Sequence, residues 1–484
     1  MKIDDESPSP DESLVPGGLS TLNEDQIAER GARTPPHGAH SAPSGPRMAR
    51  RDDREYREYL KEEQRSQPGC PARELVLDQR GQATSPRESR VPNPQSLLAD
   101  LVRDHGPLTV AAFMDLALYD PELGYYARAA QRSGRAGDFF TSVDVGPLFG
   151  ELLEIQLAEM FEILGGHTGP PLRDADQPAN DVGADRRVGP FDLVEAGAGN
   201  GRLSADILRA ARERDRGFYD AIRLHLVEAS ADARAAQRAV LGDTADRLAS
   251  SGASLPESFE GVLIANELLD AMPVHQVVMR EDGLREVYVT AGSPSLALVE
   301  GPPSTPALAG YLERVGVVLQ PGWRVEINLR AIEWMGDAAR RLRRGFVIVI
   351  DYGHDARELY SVTHAAGTLT TYSGHRSIGP ESVASVAPWL DSPGERDITS
   401  HVDFTSVRAA AESEGLQTLG FLDQTYFLMG LLDSLGCPVN LANRLALKTL
   451  IMPGGLGSTQ KVLIFGKGVR TPTLRGCSYR MRVT

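Results

Sequence analysis

The stretch Val194-Glu195-Ala196-Gly197-Ala198-Gly199-Asn200-Gly201-Arg202-Leu203 decides the fold. The apolar run Phe191–Glu195 predicts a strand before it, and the amphipathic run Arg202–Asp215 predicts a helix after it. Glycines at such a junction let the backbone turn sharply and let a ligand approach without meeting a β-carbon. In open α/β sheets, ligands bind at strand ends where the strand order switches. The spacing is G-x-G-x-G, and Arg202 stands where a dinucleotide fingerprint wants its third glycine. A bare triplet also suits a plain tight turn, so its neighbours have to choose.

Working outward, Arg223–Glu228 predicts a second strand, Asp232–Ser250 a helix and Gly261–Ala265 a third strand. Continuous apolar strands separated by amphipathic helices imply a parallel sheet covered on both faces. Glu195 ends the first strand and Glu228 the second. A carboxylate two residues before the first glycine repels a pyrophosphate and attracts an ammonium or sulfonium. A carboxylate ending the next strand can accept hydrogen bonds from both ribose hydroxyls; the alternative is a solvated strand end. A nucleoside that carries positive charge and no phosphate fits this site, and S-adenosylmethionine is that molecule.

A second constellation, Ile264-Ala-Asn266-Glu267-Leu-Leu-Asp270-Ala-Met-Pro273-Val-His275-Gln276, follows the third strand at the same sheet edge. Two carboxylates and a carboxamide beside a sulfonium can hold a nucleophile in line with the methyl group. The sulfonium charge disappears on methyl transfer, so such a site supplies mainly proximity and alignment, worth up to ~7–11 kcal/mol. Paired carboxylates can grip a guanidinium bidentately and ease loss of its proton. The alternative is that Glu267 and Asp270 cap the following turn and that His275 is a hydrogen-bonded strand residue.

The remaining sequence bounds the rest. The chain has 484 residues and a net charge of −15, from 51 Lys+Arg against 66 Asp+Glu. Proteins that coat duplexes carry a basic footprint, so a stable nucleic-acid partner is not expected. Apolar runs such as Phe346–Ile350 and Val462–Phe465 fall far short of the ~20 residues a bilayer crossing needs. Cys70, Cys437 and Cys477 form no C-x-x-C pair and imply neither a zinc site nor a disulfide framework. The acidic opening Met1-Lys-Ile-Asp-Asp-Glu lacks the charge pattern of a signal or transit peptide, and a cytosolic protein is expected. Residues 1–92, rich in Pro, Ser and charge, read as a disordered tail, with Arg51–Arg65 as a candidate solvated helix.

From 93 to 466 a single large domain is expected: front helices over 93–165, core sheet over 190–272 and 322–466, and an inserted lobe over 274–320. The front helices open at Pro94, with Thr109 a candidate cap, and Phe149, Leu153, Leu157, Met160 and Leu164 form one buried stripe. Residues 165–190 read as a surface loop. In the lobe, Val274–Arg280 and Leu284–Thr290 flank Asp282-Gly283, a hairpin signal. Trp323–Ile327 is expected to return to the core, and residues 467–484 form a basic tail.

Several motifs then become familiar together. Gly106 to Tyr126 (GPLTVAAFMDLALYDPELGYY), Gly137-Asp138-Phe-Phe-Thr141-Ser142 and Phe149-Gly-Glu151 precede the glycine loop. The turn Asn266–Gln276, Ile350-Asp-Tyr-Gly-His354 and His401-Val-Asp-Phe404 follow it. In order, over about residues 95–467, this series resembles the MidA-like family of class I S-adenosylmethionine-dependent methyltransferases. The resemblance implies a Rossmann-like α/β fold: a seven-stranded sheet with an N-terminal helical addition and an inserted α+β lobe. It also implies methylation of a protein arginine, as in a mitochondrial relative associated with respiratory complex I. By the resemblance, Glu195, Gly197, Gly199 and Gly201 hold the methionine end of the cofactor and Glu228 its ribose. Asp138 and Thr141 lie over the cofactor, while Asn266 and Glu267 face the methyl group with Asp270 beside them. Ala196 and Ala198 stand where relatives often have Leu and Pro, and Thr141–Phe149 departs from the commoner Thr-Ser-Pro-Glu-Ile-Ser; these departures touch the choice of acceptor, not the cofactor chemistry.

Asp351 is either a site carboxylate or a cap, and Tyr125 and Tyr126 either pack the front helices or touch substrate. His354 and His401 are site candidates without a visible zinc partner. The expected function is transfer of a methyl group from S-adenosylmethionine to a protein side chain, with a homodimer among the assemblies. The alternatives are a small-molecule or RNA methyltransferase and a non-catalytic cofactor-binding assembly factor.

Overall fold

The computed structural model describes residues 94–127, 141–165, 190–292, 296–373, 376–379, 387–434, 441–452 and 456–479. The expected tail 1–92, the candidate helix Arg51–Arg65, the loop beyond residue 165, Asp138, Cys70 and Cys437 lie outside those residues.

An eight-stranded sheet forms the frame. Seven strands lie on one path: β1 (Phe191–Ala196), β2 (Ile222–Val227), β3 (Leu248–Gly252), β4 (Phe259–Asn266), β5 (Leu342–His354), β6 (Gln417–Asp423) and β7 (Gln460–Lys467). Their spatial order is β6-β7-β5-β4-β1-β2-β3. β5, β4, β1, β2 and β3 run parallel, whereas β7 is antiparallel to both β5 and β6. The chain builds outward from β1 through β2 to β3, then returns to lay β4 on the other side of β1. The carboxyl ends of β1 and β4 therefore flank the switch in strand order, the place where open α/β sheets form their ligand crevice.

Alternation along the central strands feeds two cores. Leu193, Val262, Ile264, Ile348 and Ile464 face the helices Leu148–Ile163 and Arg202–Arg214. Val194, Leu263, Val347, Val349 and Phe465 face Leu329–Arg341 and Phe404–Ser413. Burial on both faces is why these strands are apolar throughout. The expected stripe on Leu148–Ile163 is in place, with Phe149, Leu153, Leu157 and Met160 fully buried. Phe161, Phe191 and Phe218 pack with ring centroids 5.2–5.5 Å apart, each pair adding ~0.5–1.5 kcal/mol beyond its buried area.

A second sheet holds the expected hairpin, His275–Arg280 with Gly283–Ala291, but Arg280 pairs with Gly283, so its turn is Glu281-Asp282 and not the expected Asp282-Gly283. The strands Leu296–Gly301 and Leu108–Thr109 pair on Gly283–Ala291. Thr109 caps the helix Val110–Tyr119, accepting from the Ala112 N–H at 3.1 Å. The helices Pro94–His105 and Val110–Tyr119 bury Val102, Phe113, Met114 and Leu118 against this lobe, while Leu148–Ile163 packs on the core sheet. The expected front region is thus divided between two cores.

Three further expectations need correction. The sheet has an eighth strand, because Val402–Asp403 pairs in parallel with the end of β5. The helix expected over Asp232–Ser250 stops at Leu241, where Gly242 takes φ +56°, and Leu248–Gly252 becomes edge strand β3. Its small polar residues, Ser250 and Ser251, are exposed and carry no apolar period. Finally, Arg324–Ile327 does not return to the core; it pairs antiparallel with His275–Arg280 in the lobe. That pairing sets Gln276 opposite Glu326, whose carboxylate accepts from Gln276 Nε2 at 2.9 Å.

Candidate active site

The glycine loop leaves β1 and folds over the end of β2. The Gly197 and Ala198 N–H groups donate to Val227 O at 2.9 and 3.1 Å, and Gly201 N–H donates to Ala198 O at 2.8 Å. Gly197, Gly199 and Gly201 have φ of +72°, +51° and +83°, the left-handed region that glycine enters without strain. A β-carbon on Gly199 would meet no atom within 4 Å, so the loop leaves open space in front of this backbone.

Glu228 fastens the loop from β2. One carboxylate oxygen accepts from Gly199 N–H and the other from Ser230 N–H, each at 2.8 Å. A carboxylate offers about four lone-pair sites, so two remain for the hydroxyls of a ribose. Glu195 is buried, and the Ser204 hydroxyl donates to it. Burial pushes its carboxyl up to about 7, against the Ser204 hydrogen bond and with help from the charges of Glu228 and Asp206. A carboxyl held in this balance ionises readily once a cation arrives.

The second half of the crevice is the turn after β4. Glu267 has φ +50°, a left-handed backbone that costs a non-glycine residue on the order of 1 kcal/mol or more. Three bonds hold it there. Its N–H donates to Ile350 O at 2.8 Å, and its Oε1 accepts from Ser142 N–H at 3.2 Å and Gln460 Nε2 at 2.7 Å. Burial nonetheless pushes its carboxyl up to about 8. Asp270 is buried and raised well above the usual carboxylate range, first by burial and then by Asp351, Glu267 and Asp397. Oδ1 of Asn266 is buried without a hydrogen-bond partner among the described residues. No salt bridge reaches Glu267, Asp270 or Asp351 among the described residues. The crevice thus gathers carboxylates that a cationic guest would stabilise in their charged form.

Asp351 acts as the brace of this turn. One carboxylate oxygen accepts from the N–H groups of Leu268, Leu269 and Asp270 at 3.1, 2.8 and 3.4 Å. The cap reading of Asp351 is therefore the one the geometry supports. Lobe residues meet the turn from the other side: Tyr119 donates to Ala271 O at 2.9 Å, and Ser400 N–H to Asp270 O at 3.0 Å. Tyr126 donates to Asp397 at 2.8 Å, while Tyr125 is buried in the lobe core. His275 lies in the lobe sheet with Nδ1 2.7 Å from Glu286, which is its strand role. His354 and His401 come together, with ring centroids 5.3 Å apart.

Sequence reading missed Asp144, Gln424 and Gln460, which tie the front segment down. Thr141 donates to Asp144 through N–H and Oγ1 at 3.1 and 2.9 Å. Asp144 pairs in turn with Arg202 at 3.0 Å, so the residue in place of a third glycine latches residues 141–145 onto the loop. Ser142 Oγ lies 2.9 Å from Gln460 Oε1 and 3.2 Å from Gln424 Oε1. Arg202 was the signal available beforehand, since a charged side chain at that place needs a partner.

Comparison with known proteins points to the same class of enzyme. The curated relatives include the protein arginine methyltransferase NDUFAF7, mitochondrial, of Mus musculus, 28% identical over 397 residues, which are 75% of this chain and 78% of the relative. The Drosophila melanogaster homolog is 28% identical over 356 residues, covering 67% and 71%. The expectation of a cytosolic protein rested on the charge of the first few residues, and the mitochondrial names of these relatives overturn it. A crystal structure from Burkholderia thailandensis, described as a "likely methyl transferase" bound to S-adenosyl-homocysteine, superposes with a TM-score of 0.68 at 28% identity. It covers 81% of this chain and 96% of its own. The model of the family described as "Putative S-adenosyl-L-methionine-dependent methyltransferase" matches residues 177–422, from before β1 to the end of β6, and the chain belongs to that family.

Proposed function

We propose that the acceptor is the guanidinium of a protein arginine, and that the turn after β4 holds it. The observation that carries this reading is the pair of enclosed carboxyls, Glu267 and Asp270, raised by burial and without a salt bridge among the described residues. A guanidinium is charged at every accessible pH and presents a planar fork that two carboxylates can match. The names of the relatives point the same way.

When bound, S-adenosylmethionine supplies an electrophilic methyl group on a sulfonium. Glu195 would attract the cationic methionine end, with Gly197, Gly199 and Gly201 providing close backbone approach and Glu228 the ribose contacts. Thr141, latched through Asp144 to Arg202, would cover the cofactor. Asn266 would offer its unpartnered Oδ1 to a donor, and Asp270 would orient the guanidinium nitrogen. Once the guanidinium beside it has drawn Glu267 into its charged form, burial makes that carboxylate a stronger base, suited to receive the proton that the methylated guanidinium releases. Asp351 is proposed as a positioning residue that fixes the turn.

On this reading the seven strands on the sheet path form the class I methyltransferase sheet, and the helices before residue 165 are its N-terminal addition. The catalytic domain spans 93–466. The proposal includes neither a stable nucleic-acid partner nor a membrane, and it admits a homodimer. Labelled-methyl transfer into a lysate of the host, followed by mass spectrometry of the modified peptides, tests it. The expected product is methylarginine in a protein; label on nucleic acid or metabolites alone would overturn the acceptor assignment.

A further inference from the structure

Three imidazoles meet where the chain leaves the sheet after β5 and where it returns. His354 is the last residue of β5, and His364 ends the short 3-10 helix Val362–His364. His401 immediately precedes Val402–Asp403, the strand that pairs with Gly353 and His354. One ring nitrogen from each lies within 4.8 Å of those of the other two. The ring centroids are 4.9, 5.3 and 5.9 Å apart.

Side-chain surroundings point to a ligand. Nδ1 of His401 is buried with no hydrogen-bond partner among the described residues, and so is Nδ1 of His354, although Glu358 Oε1 comes within 3.1 Å of the latter. His364 differs: its Nδ1 lies 3.1 Å from the Glu358 carbonyl oxygen. Donation to that carbonyl would place the proton on Nδ1 and leave Nε2 with its lone pair, the arrangement that orients metal-ligating histidines. The nearby Lys461 ammonium is answered by Asp423 at 2.6 Å.

We propose that His354, His364 and His401 bind one divalent transition-metal ion of the zinc type, with the Glu358 carboxylate available as a fourth ligand. Ligand nitrogens at ~2.0–2.1 Å from a tetrahedral ion stand about 3.3 Å apart, so modest side-chain rotation closes the set. The ion would clip together the two ends of the excursion between residues 354 and 401. It would also steady Ser400, which neighbours His401 and donates to Asp270 O at 3.0 Å. The role is structural, outside the methyl-transfer chemistry.

The test is to strip the full-length chain with a chelator and titrate it with Co2+ as a spectroscopic probe, then with Zn2+ as competitor. The expected result is one Co2+ per chain, a visible absorption band of a four-coordinate ion, and displacement by Zn2+. His364→Ala and His401→Ala should each weaken binding by more than the ~10–100-fold typical of losing an outer partner. Circular dichroism and the unfolding midpoint of metal-free His364→Ala should match the metal-free wild type, since that side chain sits on a part-exposed turn. If His401→Ala fails to fold, His364→Ala carries the test alone. Absence of stoichiometric Co2+ binding at micromolar ion, or equal binding by wild type and His364→Ala, would overturn the proposal.

Discussion

Glu267→Gln separates chemistry from architecture at this crevice. The substituted amide keeps a carbonyl oxygen that can still accept from Ser142 N–H and Gln460 Nε2, so the turn keeps its bonds. What disappears is the ability to take a proton and to carry charge. A positioned proton acceptor contributes typically 10²–10⁴-fold, and a charge-assisted bond to the acceptor about 1.5–3 kcal/mol. Methylation should therefore fall by at least about a hundredfold, with S-adenosylhomocysteine affinity changed little. Stability should move the other way. The carboxyl is raised from 4.5 to about 8, so the folded state binds more protons than the unfolded state between those values. Wild-type stability is then lost as pH rises through that window, by on the order of 3 kcal/mol at pH 7. The uncharged variant escapes this loss and should be the more stable protein at pH 8, with the gap closing towards pH 4. Labelled-methyl assays, calorimetric titration with S-adenosylhomocysteine and denaturant unfolding at both pH values make the measurements. Near-wild-type turnover, or a stability difference that does not depend on pH, would refute the reasoning.

Three further perturbations probe the frame. Gly199→Ala puts a β-carbon at φ +51° into open space before the loop; it should cost ~1–2 kcal/mol of stability and about tenfold or more in S-adenosylhomocysteine affinity, both read by calorimetry. Arg202→Ala removes one partner of the buried Asp144 carboxylate and loosens the latch on the segment 141–145, so the KM for cofactor should rise and unfolding should become easier by ~1–3 kcal/mol; an unchanged KM would remove the latch from the account. Asp351→Asn leaves one carbonyl oxygen where two carboxylate oxygens now serve Leu268, Leu269 and Asp270 on one side and Tyr352 on the other, so an N–H loses its acceptor; unfolding free energy should fall by ~1–3 kcal/mol and turnover with it, whereas Glu267→Gln keeps all its bonds.

The parts of the site legible in the sequence are those whose chemistry is contiguous. The glycine loop and the turn Asn266–Asp270 each declare themselves within ten residues, and the alternation of strands and helices sets both at one sheet edge. Contacts made across the fold were not legible. Gln460 and Ser142 meet Glu267 from positions 193 and 125 residues away, and neither carries a local pattern. His364 shows the same limit, since its partners come from the end of β5 and from the return to the sheet. Strand β3 was hidden for another reason: an edge strand of small polar residues has no apolar period to detect. Arg324–Ile327 reads equally well as a core or a lobe strand, and only its register with His275–Arg280 decides.

Strand β7 runs against its neighbours, so its first residue rather than its last reaches the crevice. Gln460 sits opposite Tyr352 and Lys461 opposite Asp351. During synthesis β1, β4 and the acidic turn therefore leave the ribosome well before the side chain that steadies Glu267 exists. A nascent chain could assemble the glycine loop early yet lack a finished acceptor wall until its closing strand is threaded between β5 and β6. Competence for methyl transfer would then arrive as one late event in the life of each molecule, not gradually along the polypeptide.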